Sequence, residues 1–282
     1  MLFKYAVYKK GAVHEKEGTP CQDALHYLLL DNIQIAGVAD GIGSESHSDM
    51  ASEIAVSCAV EECGKNIQPG MNDNEIIDSV KASFITAKYA VEDEADRLGY
   101  NYNECDTTLS LAVYINGYLY YGQSGDSGII ALSEDGYCVK ITEQQRDEKK
   151  RVFPLFFTDH WVFGKAEGRF VSVLLATDGI LETFFPEILA KEPETLYISH
   201  IMRFLDKDRL CIIEKGEETV QKEAQVFIDN IPAYLVDDDI TLVALINTDI
   251  PMTPQPPVYY QTPDFDNLRL KREKELFPDL QV

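Results

Sequence analysis

Alternating apolar and polar positions dominate the first two thirds of the chain. In the segment Leu109–Ile115 the apolar side chains recur at a spacing of two, which places them on one face of a strand. Asn116-Gly117 follows directly, and such a pair favours a tight antiparallel turn because both residues tolerate positive φ. Asp31-Asn32 and Asp135-Gly136 separate other apolar runs in the same way. The pattern predicts hairpins that build antiparallel sheets.

Four other segments carry apolar residues at a spacing of three or four, which predicts helices. They span residues 51–59, 77–91, 187–205 and 217–230. The first two are consecutive and lie between pairs of predicted strands. We therefore expect helix pairs that cover the faces of the sheets.

The end of the chain has a different composition. Five prolines lie between positions 251 and 263, which favours an extended segment. Residues 267–276 mix Leu with Lys, Arg and Glu, a composition that suits a short helix. We divide the chain into a domain of residues 1–248 and a proline-rich tail of residues 249–282. The tail either packs on the domain or serves as a docking segment.

Charge and cysteine content narrow the class of protein. The net charge is -23 and apolar residues make up 45% of the chain. Such a chain can form a core, while its acidic surface repels nucleic acid and suits hard cations. The six cysteines form no CxxC pair, which argues against structural zinc. No secretion signal and no apolar run of about 20 residues is present, so we expect a reduced, cytoplasmic protein without a membrane partner.

Candidate chemistry lies in acids that end apolar strands. These acids are Asp23, Asp40, Asp126, Asp178 and Asp238. A carboxylate beside a buried strand costs free energy unless it has a partner, and no Lys or Arg lies near these acids in the sequence. A shared cation is the simplest partner. One Asp-Gly after a strand usually marks only a turn, so the hypothesis depends on the repetition.

Five motifs in this order resemble the metal-dependent protein phosphatases of the 2C type. They are Asp40-Gly41-Ile42-Gly43, Thr107-Thr108-Leu109, Gly125-Asp126-Ser127, Thr177-Asp178-Gly179 and Asp238-Asp239-Ile240-Thr241. The run Gly18-Thr19-Pro20-Cys21-Gln22-Asp23 is similar to a bacterial branch of that family. The resemblance covers roughly residues 5–247 and implies an α+β fold. This fold is a four-layer α-β-β-α sandwich, in which two antiparallel sheets are flanked by helix pairs.

The resemblance also implies a centre of two Mn²⁺ or Mg²⁺ ions. By position, Asp40 would bridge the ions, the Gly41 carbonyl would bind one of them, and Asp178 and Asp238 would complete the shell of the other. Asp23 would act nearby through water. Asp126 and Glu182 occupy the positions for a third ion in bacterial relatives.

The activity that the resemblance implies is removal of phosphate from phosphoserine or phosphothreonine in proteins. Two ions would activate a water for direct in-line hydrolysis, and the phosphorylated protein substrate would belong to a Ser/Thr kinase pathway that the enzyme opposes. Two alternatives remain. One is a two-metal phosphohydrolase that acts on a small phosphate ester. The other is a catalytically weak regulatory or binding member of the same fold.

The chain departs from the family pattern where substrate phosphate should bind. Many relatives carry an arginine before the N-terminal acidic motif, and Gly18 stands at that spacing here. Lys16 and His14 are the candidate replacements. A basic run, Gln144 to Arg151, lies in the segment of residues 142–168. That run is either a solvated loop or a contact for a phosphorylated substrate segment.

Three consecutive acids leave the last predicted ligand open to a shift of one position. Asp237 and Asp239 flank Asp238, and the family motif has Asp-Asn where this chain has Asp238-Asp239. The sequence alone does not decide which of the three faces a cation.

Overall fold

The computed structural model describes residues 1–189 and 195–276. In these ranges ten strands form two five-stranded sheets. The strands are β1 (Leu2–Lys9), β2 (Asp23–Leu30), β3 (Ile33–Asp40), β4 (Leu109–Ile115), β5 (Tyr118–Ser124), β6 (Gly128–Ser133), β7 (Cys138–Lys140), β8 (Val162–Lys165), β9 (Phe170–Ala176) and β10 (Ile240–Asn247).

Both sheets are antiparallel throughout. One has the strand order β1-β10-β9-β6-β7 and the other has the order β2-β3-β4-β5-β8. The predicted turn between β4 and β5 is confirmed, because Asn116 and Gly117 have φ values of 51° and 90°. These left-handed conformations explain why Asn and Gly occupy the turn.

Helices lie between and after the strands, and several of them cover the outer faces of the sheets. They are α1 (Ala12–Glu17), α2 (Ser48–Asn66), α3 (Asp73–Leu98), α4 (Asp178–Leu181), α5 (Ile198–Leu205), α6 (Lys207–Leu210), α7 (Ile212–Lys215), α8 (Glu217–Asp229) and α9 (Phe265–Leu276). Within the predicted helix of residues 187–205, α5 forms only the last part. A short 3-10 turn at Glu187–Leu189 precedes it, and residues 190–194 lie outside the described residues.

Three apolar layers hold the sandwich together. Buried side chains between the two sheets include Val38, Tyr114, Ile129, Val173 and Val243. Helices α2 and α3 pack on the sheet that contains β3, and α5 and α8 pack on the sheet that contains β10. The predicted α+β sandwich of two antiparallel sheets between helical layers is confirmed.

The segment after β10 packs against the β6–β7 hairpin. The backbone N–H of Thr253 donates to the Glu134 carbonyl at 2.7 Å, and the Tyr260 hydroxyl donates to the Gly136 carbonyl at 2.9 Å. Helix α9 then follows within the tail. Among the described residues, no helix combines the length and the apolar character needed to cross a membrane.

Candidate metal centre

Loops at one end of the sandwich bring the predicted acids together. Asp40 ends β3, and Asp23 opposes it at the start of β2 in the antiparallel ladder. Asp178 opens α4 directly after β9, and Asp126 lies in the turn between β5 and β6. Asp238 lies two residues before β10. Residues far apart in the sequence therefore meet because strands of both sheets begin or end at this end of the sandwich.

Two threonines fix the backbone at Asp40. The Asp40 N–H donates to Thr108 Oγ1 at 2.9 Å, while the Asp40 carbonyl accepts from Thr107 Oγ1 at 2.9 Å and Thr108 N at 2.8 Å. Thr108 Oγ1 also lies 2.8 Å from Ser127 Oγ. The Thr107-Thr108 pair thus connects the end of β3 to the turn that carries Asp126.

Gly41 occupies a position where no side chain fits. A Cβ added there would lie 2.6 Å from the Ser48 carbonyl oxygen and 2.7 Å from its carbon. The Gly41 N–H donates to the Gln22 carbonyl at 3.0 Å. Glycine therefore allows the start of α2 to approach the end of β3. The proposed role of the Gly41 carbonyl as a metal ligand stays a prediction.

Three carboxylates form a compact group that suits a cation. Oxygen atoms of Asp40, Asp126 and Asp178 lie within 4.8 Å of one another. Asp126 is only 1% exposed, and its Oδ1 atom has no hydrogen-bond partner among the described residues. An unpaired buried carboxylate oxygen is costly, so this donor set fits a hard cation such as Mg²⁺ or Mn²⁺.

The protonation behaviour of the group agrees with this interpretation. Burial, together with the charges of Asp126 and Asp238, raises the pKa of Asp178 to about 7. Burial and the charges of Asp23, Asp178 and Asp126 raise the pKa of Asp40 well above its usual range. These acids resist ionisation together, because burial penalises each charge and the neighbouring carboxylates repel one another.

Arg146 supplies one positive charge to this group, and it was not among the predicted site residues. Its Nε atom lies 2.6 Å from Asp126 Oδ2, its Nη2 atom 2.8 Å from Asp178 Oδ2, and its Nη1 atom 2.9 Å from Glu182 Oε1. The basic run of residues 144–151 was the only sequence signal for it. Nothing in the sequence indicated which of its cations would turn inward.

The structure separates the roles of the acids at positions 237–239. Asp238 lines the cavity that contains Asp40 and Asp178, although it lies outside the close group of three. Asp239 is 2% exposed, and its two oxygens accept from the N–H groups of Gly11 and Gln22, each at 2.6 Å. Asp239 therefore ties the N-terminal segment to β10.

Hydrogen bonds also set the charge state of Asp239. Burial works in the opposite direction, but hydrogen bonds from Gly11, His14 and Gln22 lower the pKa of Asp239. His14 Nδ1 lies 3.0 Å from Asp239 Oδ2. An ionised carboxylate is thus held at the base of the N-terminal segment.

The remaining predicted residues lie at different distances from the group. Asp23 Oδ2 accepts from Thr177 Oγ1 at 2.7 Å, beside the group rather than in it. Glu182 has a side chain that is 57% exposed and touches the site through Arg146. His14 lines the cavity, whereas Lys16 is exposed on α1 and is not among the described residues that form the cavity wall.

A cavity of 600 Å³ opens over the acids. Its wall also contains Asp106, which the sequence did not single out. Burial raises the pKa of Asp106 to about 7, against hydrogen bonds from Thr107 and Phe156 that lower it. The only sequence signal for Asp106 was its position directly before the motif Thr107-Thr108-Leu109. Lys150 and Arg151 of the basic run line the same cavity.

The family follows from a comparison with known sequences. The sequence model described as Protein phosphatase 2C matches residues 10–215. This match spans most of the chain, and the chain belongs to the protein phosphatase 2C family. The resemblance stated from the motifs is thus confirmed. No curated protein sequence matches the chain.

Solved structures show the same fold at low sequence identity. The S. agalactiae serine/threonine phosphatase has a TM-score of 0.59 and 13% identity, covering 87% of this chain and 99% of that one. Stp1, a serine/threonine phosphatase from Staphylococcus aureus, has a TM-score of 0.56 and 14% identity, covering 88% and 95%. RsbX in complex with magnesium has a TM-score of 0.51 and 14% identity, covering 87% and 94%.

Proposed function

We propose that the chain is a metal-dependent phosphatase that removes phosphate from phosphoserine or phosphothreonine in proteins. The observation that carries the proposal is the convergence of Asp40, Asp126 and Asp178 within 4.8 Å, in the wall of an open cavity of a protein phosphatase 2C fold. Carboxylates at such spacing favour divalent cations.

The chain's own groups would divide the work of binding those cations. Asp40, Asp178, Asp238 and the Gly41 carbonyl would hold two Mn²⁺ or Mg²⁺ ions, with Asp23 acting through water. When bound, such ions supply a water of lowered pKa and neutralise phosphoryl charge. The magnesium in the RsbX complex supports an ion of this kind.

Protein residues would set the geometry around these ligands. Thr107 and Thr108 hold the Asp40 backbone in place. Asp126 and Glu182 both form ion pairs with Arg146. These two acids are the candidate ligands for a third ion.

The partner we propose is a phosphorylated protein, modified by a Ser/Thr kinase that this enzyme opposes. The serine/threonine phosphatases with the same fold support this class of substrate. We place the activity in the cytoplasm, and all six cysteines are free thiols, as is usual in a reducing compartment.

One observation favours a catalytically weak, regulatory member of the fold as the second candidate. Arg146 already pairs with Asp126 and Asp178, and a cation that binds these acids must compete with its guanidinium. In that case the chain would bind phosphoprotein without turnover.

Steady-state kinetics would separate these functions. The purified protein, with Mn²⁺ or Mg²⁺, is assayed on phosphoserine and phosphothreonine peptides and on a small aryl phosphate. We expect metal-dependent hydrolysis, with kcat/KM higher for the peptides. A higher kcat/KM for small esters would favour the phosphohydrolase alternative, and binding of phosphopeptide without turnover would favour the regulatory one.

A further inference from the structure

The cavity over the acids offers few cations to a substrate. A phosphate monoester carries negative charge, and Asp40, Asp178 and Asp238 in the wall repel it. The basic side chains of the wall are His14, Lys150 and Arg151. One of these must contribute charge if the chain itself is to hold phosphate in the cavity.

Two of the three candidates are already engaged. His14 Nδ1 lies 3.0 Å from Asp239 Oδ2. Arg151 pairs with Asp147, with Nε 2.8 Å and Nη2 2.7 Å from Asp147 Oδ2. Within residues 1–189 and 195–276, Lys150 forms no ion pair, so its ammonium group is available to a ligand.

A tight turn presents Lys150 to the cavity. Asp147 Oδ1 accepts from the N–H groups of Lys149 at 2.8 Å and Arg151 at 2.9 Å. The Lys150 N–H donates to the Asp147 carbonyl at 2.9 Å, and the Asp147 N–H donates to the Arg151 carbonyl at 2.9 Å. The turn is therefore closed by backbone and side-chain hydrogen bonds together.

The backbone of Lys150 is strained within this turn. Its φ is 62°, a left-handed conformation that is unfavourable for a residue with a Cβ relative to the right-handed one. Glycine would adopt it without that cost. Strain of this kind at a cavity wall indicates a functional reason for the side chain.

The turn is anchored to the acid group rather than free to swing. Arg146 precedes the turn and is held by three carboxylates. The neighbouring Gln145 donates its N–H to the Gly125 carbonyl at 3.1 Å, and its Oε1 atom accepts from the Gly125 N–H at 3.0 Å. These contacts tie the backbone that carries Lys150 to the turn that carries Asp126.

We infer that Lys150 binds the phosphate group of the substrate. Lys16, the other lysine considered for this role, is not among the described residues of the cavity wall. This inference rests on the proposed phosphatase function and names the side chain that holds its substrate. The ammonium group donates hydrogen bonds to phosphoryl oxygens, and Asp147 positions it by closing the turn.

Lys150→Met tests the inference, with Lys149→Met as the matched control. Lys149 is the adjacent lysine of the same turn, is exposed, and is not among the described residues that line the cavity. We expect Lys150→Met to raise the KM of both aryl phosphate and phosphopeptide, and the dissociation constant of inorganic phosphate, by about tenfold, as loss of one charged hydrogen bond predicts. Lys150→Arg should retain most of the affinity, and kcat should change less than KM.

Binding of inorganic phosphate to the Mg²⁺-loaded protein, measured by calorimetry, separates this inference from the proposed function. If the wild type hydrolyses nothing, the proposed function fails, while tenfold weaker phosphate binding by Lys150→Met still supports the inference. Unchanged phosphate binding in Lys150→Met overturns it. An equal loss in Lys149→Met, or a change confined to the peptide KM, also overturns it.

Discussion

Replacement of Arg146 by methionine should tighten cation binding and destabilise the metal-free protein. The guanidinium neutralises part of the charge on Asp126 and Asp178, at 2.6 and 2.8 Å. Its third partner, Glu182, is 57% exposed, so that pair contributes little. Methionine keeps most of the side-chain volume and removes the charge.

The magnitude follows from the two shielded pairs. A hydrogen bond to a charged group is worth about 1.5–3 kcal/mol. Because the Arg146 side chain is 24% exposed, solvent screening reduces the sum, and we expect a loss of about 2–4 kcal/mol from the free energy of unfolding without metal. When a cation binds Asp178 in place of Arg146, the protein loses one such bond. Removal of the Arg146 guanidinium should therefore tighten Mn²⁺ binding about 10- to 100-fold.

Calorimetry with Mn²⁺ and urea unfolding in EDTA measure the two effects. Arg97→Met is the control, because Arg97 pairs only with Glu94 on the exposed face of α3 among the described residues. If Arg146→Met leaves both the Mn²⁺ affinity and the metal-free stability at wild-type values, the guanidinium does not occupy the acid group in solution. Weaker Mn²⁺ binding would refute the competition.

Two further predictions concern pH and backbone packing. The pKa of Asp178 rises to about 7 in the folded protein, so folding binds a proton between about pH 4 and pH 7, and this acid's contribution to stability is lost as pH rises through that window. In urea unfolding with EDTA, Asp178 should therefore lower the free energy of unfolding by at most about 4 kcal/mol between pH 4 and 8. Saturating Mn²⁺ should make this decrease smaller. A rise in the free energy of unfolding across the same pH window would contradict the effect of burial on Asp178. Gly41→Ala should lower the free energy of unfolding by about 1–3 kcal/mol, because its Cβ would lie 2.6 Å from the Ser48 backbone. In Gly43→Ala the added Cβ would contact only Gln22 Oε1 at 3.7 Å, so thermal unfolding should be nearly unchanged. Equal destabilisation by the two substitutions would show that close packing at Gly41 is not the cause.

The fold could be predicted because its signals are local. Alternation in Leu109–Ile115 and the Asn116-Gly117 turn depend on neighbouring residues alone, and β4 and β5 form as expected. The helix predicted over residues 187–205 was too long at its start, since α5 begins at Ile198. The periodic spacing of apolar residues does not show at which residue a helix begins.

The acids of the site could be proposed from sequence, but their partners could not. Asp40 and Asp178 lie at the ends of apolar strands, and such positions lie close together where strands end on the same side of a sandwich. Arg146, in contrast, reaches Asp178 from 32 positions away, and Asp239 reaches Gly11 from 228 positions away. Pairing at that distance depends on how the two sheets and the segment of residues 142–168 pack, which no local pattern encodes.

We propose that divalent cations bound at Asp40 and its neighbours make this chain a phosphatase. The most direct test titrates Mn²⁺ into metal-free protein while bound ions and hydrolysis of a phosphoserine peptide are both measured, for the wild type and Asp40→Asn. We predict that turnover rises with Mn²⁺ occupancy and saturates at two ions, and that Asp40→Asn binds Mn²⁺ weakly and loses turnover on the order of a thousandfold. Undiminished turnover in EDTA, or in Asp40→Asn, would contradict a metal-dependent mechanism at these acids.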